Sequence, residues 1–159
     1  MTKPWPIPIT QIHIQTVFSV QNRDCLIEPD WKDELYKYII AIGQNNGHKL
    51  LIINGMPDHI HLFFGFRTTQ SLSDLMQEVK EDSSKWINER KFTKQKFSWQ
   101  AGYGGFSYSK SHVERAIRYI QNQERHHQKN TFLEEYKEML LAFGIEYDQR
   151  FLFKPVEPE

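Results

Sequence analysis

The chain has one cysteine, Cys25, among 159 residues. A lone cysteine forms no internal disulfide. That excludes a small scaffold stapled by such bonds and fits the reducing cytoplasm. No apolar run approaches the ~18 residues that span a bilayer. The opening stretch, MTKPWPIPIT, lacks a charged head followed by an apolar segment, so no signal peptide is expected. Net charge is missing too, with 20 basic residues against 20 acidic ones. A neutral chain argues against a nucleic-acid partner unless its basic residues gather on one face. Aromatic residues, in contrast, are plentiful at 14%. A chain of this length buries a real core, and a single domain over residues 1–159 is expected.

The hydrophobic pattern alternates between periods of two and of 3.6 residues. QIHIQTVFSVQ reads as a strand with Ile12, Ile14, Phe18 and Val20 on one side, interrupted by Thr16. DWKDELYKYIIAIGQNNG reads as a helix that stops at glycine. HKLLIIN and HIHLFFGF read as strands joined by a turn at NGMPD. TQSLSDLMQEVKEDSSKWINER is a longer helix, and KFSWQAGYGGFSYSK reads as short extended pieces. SHVERAIRYIQNQERHH opens with the capping pair Ser111 and Glu114, and TFLEEYKEMLLAFG repeats it with Thr131 and Glu134 before stopping at Gly144. The tail FLFKPVEPE is expected to be extended. This order gives an α+β fold, a mostly antiparallel sheet with helices packed on it.

His59 and His61 stand two apart on an expected strand, so they share one face. Ile60, Leu62, Phe64 and Phe66 form the other face, apolar throughout, which anchors the strand. The histidine face is then free to line a site. Imidazole suits first-row divalent metals, and two such ligands leave room for a third and for a substrate oxygen. The pair alone also fits histidines satisfied by ordinary hydrogen bonds. A histidine-triad nucleotide hydrolase would need another histidine where Phe63 stands. A two-histidine phosphoesterase would need a second, separated motif.

In RAIRYIQNQ, Val113, Ala116, Ile117 and Ile120 make the apolar stripe of a helix. Tyr119 and Gln123 lie four apart beside it and neighbour each other. A strand with two histidines and a helix with Tyr119 and Gln123 supply two imidazoles, an amide oxygen and a nucleophilic oxygen.

That combination resembles the HUH superfamily, and within it the single-tyrosine transposases of bacterial insertion sequences, together with relatives acting on repeated extragenic palindromes. The resemblance runs from HIQTVFSVQNR through PDHIHLFF and SWQAGYGGFSYS to VERAIRYIQNQ. It implies a ferredoxin-like antiparallel sheet flanked by helices, here with an added C-terminal helix. It implies that His59 and His61 bind Mg²⁺ or Mn²⁺, that Gln123 is a third ligand and that Tyr119 is the nucleophile. The implied activity is cleavage and rejoining of single-stranded DNA, with hairpin ends as the partner. Members of the family also look like homodimers in which the tyrosine helix of one subunit completes the site of the other.

Those roles make chemical sense for these residues. Rejoining DNA without ATP requires the phosphodiester energy to be kept in a covalent bond, and a phosphotyrosine keeps it. A phenol with a pKa of about 10 is a poor nucleophile near neutral pH without help. Two imidazoles and an amide are neutral ligands that leave a metal its full charge. The charge objection is met locally. Lys85, Arg90, Lys91, Lys94 and Lys96 face a single acid, Glu89, within residues 85–96, and the tyrosine helix adds Arg115 and Arg118. Trp99, Tyr103, Phe106 and Tyr108 either stack unpaired bases or fill a core. His126 and His127 read as surface residues and His13 as structural. Two other functions fit the same residues: a catalytically silent protein that binds nucleic-acid hairpins, and a metal-dependent phosphodiesterase with no covalent intermediate.

Overall fold

The computed structural model describes residues 9–156. Its centre is one antiparallel sheet of β1 (His13–Ser19), β2 (Lys49–Met56), β3 (His59–Gly65) and β4 (Gly104–Tyr108), in the order β2-β3-β1-β4. Helix α1 (Pro29–Asn45) links β1 to β2, and α2 (Leu72–Arg90) links β3 to β4. This is the ferredoxin-like arrangement. Helices α3 (Val113–Gln121), α4 (Gln123–His126) and α5 (Phe132–Ala142) follow the last strand.

β1 and β3 lie at the middle of the sheet, and both of their faces are covered. Ile14 pairs with Phe64, Thr16 with Leu62 and Phe18 with Ile60, so these side chains share one face. That face packs against α1 and α2. Leu50 fills the space beside Gly43 of α1, and Trp99, edge-on to Phe18, donates its indole N–H to Ser83 of α2. Thr16 breaks the apolar run, and its buried hydroxyl has no partner. The opposite face carries Gln15 against Phe63, Val17 against His61 and Ser19 against His59. Here α3, α4 and α5 close over the sheet. Ala116 and Ile120 pack on Phe63, and the Tyr136 ring lies against Gly104, where any side chain would collide with it.

The turn between β2 and β3 is two residues, Pro57 and Asp58, and it is pinned from outside. Val20 N–H donates to the Asp58 carbonyl, and Ile27 N–H donates to that of Pro57. Gly55 of β2 passes so close to the His59 carbonyl that a Cβ there would clash with backbone.

The expected helix over 111–127 is corrected in two places. A 3-10 turn at Lys110–His112 precedes α3, and Ser111 bonds to Ser109 and His112 instead of capping the helix. The helix also breaks at Asn122, which separates Tyr119 on α3 from Gln123 on α4. Thr131 does cap α5 by accepting from Glu134 N–H, and Gly144 ends that segment at φ 65°. The tail first makes a 3-10 turn, Gln149–Phe151, and only then runs extended, with Phe153 buried. Residues 157–159 lie outside the described range.

Candidate active site

Strand alternation puts His59 and His61 on the face beneath α3–α5, and neither retains any exposure. The histidine face is therefore roofed, where the sequence suggests an open one. Each ring is held by its Nδ1. His59 donates to Asp58 Oδ1 at 2.7 Å, and His61 donates to Gln15 Oε1 at 2.6 Å. Gln15 is fixed in turn by donating to the Tyr108 hydroxyl at 2.6 Å. The Phe132 ring stacks on His59 with centroids 4.1 Å apart.

The helices bring the other expected residues to the same place. Gln123 Oε1 lies 2.9 Å from His59 Nε2, and the Tyr119 ring stands edge-on to His61 with centroids 6.1 Å apart. Both then converge on a residue that the motifs leave out. Glu135 of α5 accepts from the Tyr119 hydroxyl and, at 2.8 Å, from the Gln123 amide, both through Oε2. Its Oε1 lies 3.0 Å from His61 Nε2, 3.1 Å from His127 Nε2 and 3.4 Å from His59 Nε2. Donor atoms of His59, His61 and Glu135 all lie within 4.8 Å of one another. His126 and His127, read from the sequence as surface residues, are half-buried. His126 stacks on Tyr119 at 4.4 Å, and the His127 side chain is 6% exposed.

The sequence does carry a sign of Glu135. Phe132, Tyr136, Met139 and Leu140 make the buried stripe of α5, and Glu135 occupies the i+3 position within that stripe. A carboxylate on a core face needs partners.

Burial works against every charge in the cluster. For Glu135 the hydrogen bonds from His127, His59 and His61 outweigh burial and hold the carboxyl far below its usual range. For His59 burial is overcome by the hydrogen bonds to Asp58 and Glu135, and its pKa is raised to about 9. At His61 burial prevails and the pKa falls. Burial, followed by the charge of Glu135, pushes the Tyr119 phenol well above its ordinary value. In this arrangement the half-buried Tyr119 donates its hydroxyl proton to Glu135 in a hydrogen bond, which shields the oxygen. Beside it a cavity of about 270 Å³, lined by Tyr108, His112, Arg115, Met139 and Phe143 among others, leads to solvent.

The basic residues divide into two groups. Lys85 and Arg90 on α2, and Lys91, Lys94 and Lys96 in the loop after it, are exposed on the side of the sheet away from Tyr119. Arg115 and Arg118 are exposed on α3, the helix that carries Tyr119. They do not form one continuous face. Trp99 and Phe106 are core residues, and Tyr103 and Tyr108 are half-buried.

The family model described as "Transposase IS200 like" matches residues 8–123. The chain belongs to the IS200-like transposase family. The matched span of this IS200-like chain includes the histidine pair, Tyr119 and Gln123, and it ends before His127 and Glu135. Two solved structures share its fold. One is a protein of Deinococcus radiodurans R1 assigned as a transposase, at TM-score 0.60 and 20% identity over 77% of this chain and 98% of that one. The other is a REP-associated tyrosine transposase bound to a REP hairpin, at TM-score 0.59 and 14% identity over 100% of this chain and 95% of that one. No curated protein matches the chain. Among the described residues no helix is long and apolar enough to cross a membrane.

Proposed function

We propose that this IS200-like protein cleaves and rejoins single-stranded DNA at hairpin-bearing ends, with Tyr119 as nucleophile and His59, His61 and Gln123 holding Mg²⁺ or Mn²⁺. The observation that carries the reading is convergence. A phenol on one helix, an amide on the next and two imidazoles on a strand meet within one chain. The donor set fits such a metal, being imidazole nitrogens and an oxygen with their outer hydrogen bonds already in place. A bound divalent metal would offset charge building on the scissile phosphate.

The remaining chemistry belongs to the chain. Asp58 and Gln15 orient the two imidazoles. The Tyr119 oxygen must lose its proton and its contact with Glu135 to attack phosphorus. Its bond to phosphorus then replaces the bond to the leaving strand, whose oxygen departs with the electron pair and takes up a proton. Reversal of the step rejoins a strand without ATP. The cavity beside Tyr119 is the route by which a separated strand reaches the phenol, and Arg115 at its wall suits a phosphate. The whole chain acts as one domain, and its single buried cysteine suits work in the cytoplasm.

The shielded state of Tyr119 supports a second reading, a hairpin-binding protein of the same fold that does no chemistry. One experiment separates the two. The protein is incubated with Mn²⁺ and single-stranded DNA from its own locus and then denatured. The enzyme gives a covalent protein–DNA adduct. Tyr119→Phe, which keeps the ring, binds the same DNA and gives none. If the wild type gives no adduct with any strand of the locus while it binds a hairpin tightly, the silent reading replaces this one.

A homodimer is part of the proposal. Leu141, Phe143, Ile145, Tyr147 and Phe151 expose apolar surface along the C-terminal segment, which a second copy would cover. Tyr119 already lies beside the histidines of its own chain, and this supports cleavage within one subunit. Mixing Tyr119→Phe chains with His61→Ala chains decides the point. Adduct restored by mixing means that the tyrosine works across the dimer, and no restoration means that it works at home.

A further inference from the structure

We infer that Glu135, carried by a helix beyond the family-matched span, is an anionic ligand of the metal in addition to His59, His61 and Gln123. The inference rests on the metal-assisted reading above and deepens it. It starts from which atoms have protons to give.

Each imidazole near Glu135 has its Nδ1 committed to an oxygen that can only accept there. His59 faces the Asp58 carboxylate, His61 faces Gln15 Oε1, and His127 faces the Asn130 carbonyl at 2.8 Å. A neutral imidazole with a proton on Nδ1 presents a lone pair at Nε2. All three Nε2 atoms point at Glu135 Oε1, which is itself an acceptor. His59 Nε2 also meets Gln123 Oε1. The orientation of that amide is fixed, because its Nε2 donates to Glu135 Oε2. With the imidazoles neutral, lone pairs face lone pairs across a buried centre. Either each Nε2 takes an extra proton, or a cation occupies the middle.

The spacing fits a cation. Oε1 lies 3.0 Å from His61 Nε2 and 3.4 Å from His59 Nε2. Neighbouring ligands of one ion are about 3.0–3.4 Å apart when each bond is about 2.1 Å. His127 reaches the same oxygen from outside the group whose donor atoms all lie within 4.8 Å. Its contact holds the carboxylate in place. Division of labour between the two oxygens follows. Oε1 faces the imidazoles and Oε2 faces Tyr119 and Gln123, so one carboxylate ties the metal site to the nucleophile.

Metal binding tests this without reference to DNA. Mn²⁺ is titrated into metal-free wild type, Glu135→Gln and His61→Ala by calorimetry, with free Mn²⁺ followed by electron paramagnetic resonance. Loss of a ligand should weaken Mn²⁺ binding of Glu135→Gln by at least about tenfold, and His61→Ala should do the same. If Glu135→Gln binds Mn²⁺ as tightly as the wild type, or more tightly, the carboxylate is only an ion-pair partner that plugs the site, and the inference is overturned. A wild type that binds no Mn²⁺ overturns it as well. Should Glu135→Gln fail to fold by near-ultraviolet circular dichroism, Glu135→Asp decides. It keeps the charge but withdraws the oxygens by one methylene, so a ligand role predicts weaker Mn²⁺ binding, and binding as tight as the wild type overturns the inference. The adduct assay on the wild type reports separately on the transposase reading. An adduct at Tyr119 together with unchanged Mn²⁺ binding by Glu135→Gln would remove only the ligand role of Glu135.

Discussion

Single side chains in this site act mostly through what fixes them. Asp58 sits in the turn and Gln15 on the neighbouring strand, yet each decides which nitrogen of a histidine faces the centre. Gln15→Leu should leave the fold intact, remove the acceptor for His61 and weaken Mn²⁺ binding by about 10- to 100-fold, as losses of such outer partners do. Calorimetry on the metal-free variant reads this directly, and unchanged affinity would show that His61 needs no orienting partner. The proposed ligand pair should behave differently. His59→Ala and His61→Ala should reduce the metal-dependent adduct to background while leaving hairpin affinity within about threefold, because neither buried ring contributes surface for DNA. A gel-shift titration run beside the adduct assay separates the two effects. The histidine pair was legible in the sequence because the strand period places both on one face, and Tyr119 and Gln123 because of the motif they resemble, although the helix expected to carry both breaks between them. Glu135 was harder to see, because its purpose depends on atoms as remote in sequence as those of His61, 74 residues away. Its position inside an apolar stripe was the available sign, and Thr131 with Glu134 drew attention to capping instead.

Elements were legible where periodicity was strong. The two long helices and the strands of the sheet follow the expected order, and the short-range pairing of β2 with β3 follows from a two-residue turn. The break at Asn122 was not legible, since QNQERHH has no proline or glycine to mark it. It lets α3 and α4 deliver the phenol and the amide to one carboxylate from different helices. Close approaches between elements make the next prediction. Gly55→Ala would drive a methyl group into the β3 backbone at His59. It should cost about 1–3 kcal/mol of stability, and it should lower adduct yield more than that loss explains, because the displaced strand carries the proposed ligand His59. Urea unfolding gives the first quantity and adduct formation below the transition gives the second. Phe132→Ala removes the ring stacked on His59 and should cost about 3 kcal/mol. If it melts like the wild type, α5 does not seal the site in the way its packing implies.

Over the whole molecule, the neutral chain carries two basic groups on opposite sides of one sheet. Charge reversal should tell them apart. Arg115→Glu with Arg118→Glu, next to the nucleophile, should cut adduct formation sharply and reduce the salt dependence of DNA binding by about two units of slope. Lys94→Glu with Lys96→Glu should lower hairpin affinity while leaving the rate of adduct formation from saturated complex unchanged. Binding measured across a salt series, with single-turnover adduct kinetics, checks both. The span between His61 and Glu135 has one more consequence, which concerns the order of events during synthesis. The β2–β3 pair closes from neighbouring residues, so a nascent chain can form the strand with both imidazoles early. The carboxylate that faces them arrives 74 residues later, with almost the last helix to be made. The buried cluster is therefore complete only once α5 has been made, and a product stopped before α5 would carry both histidines without Glu135 beside them.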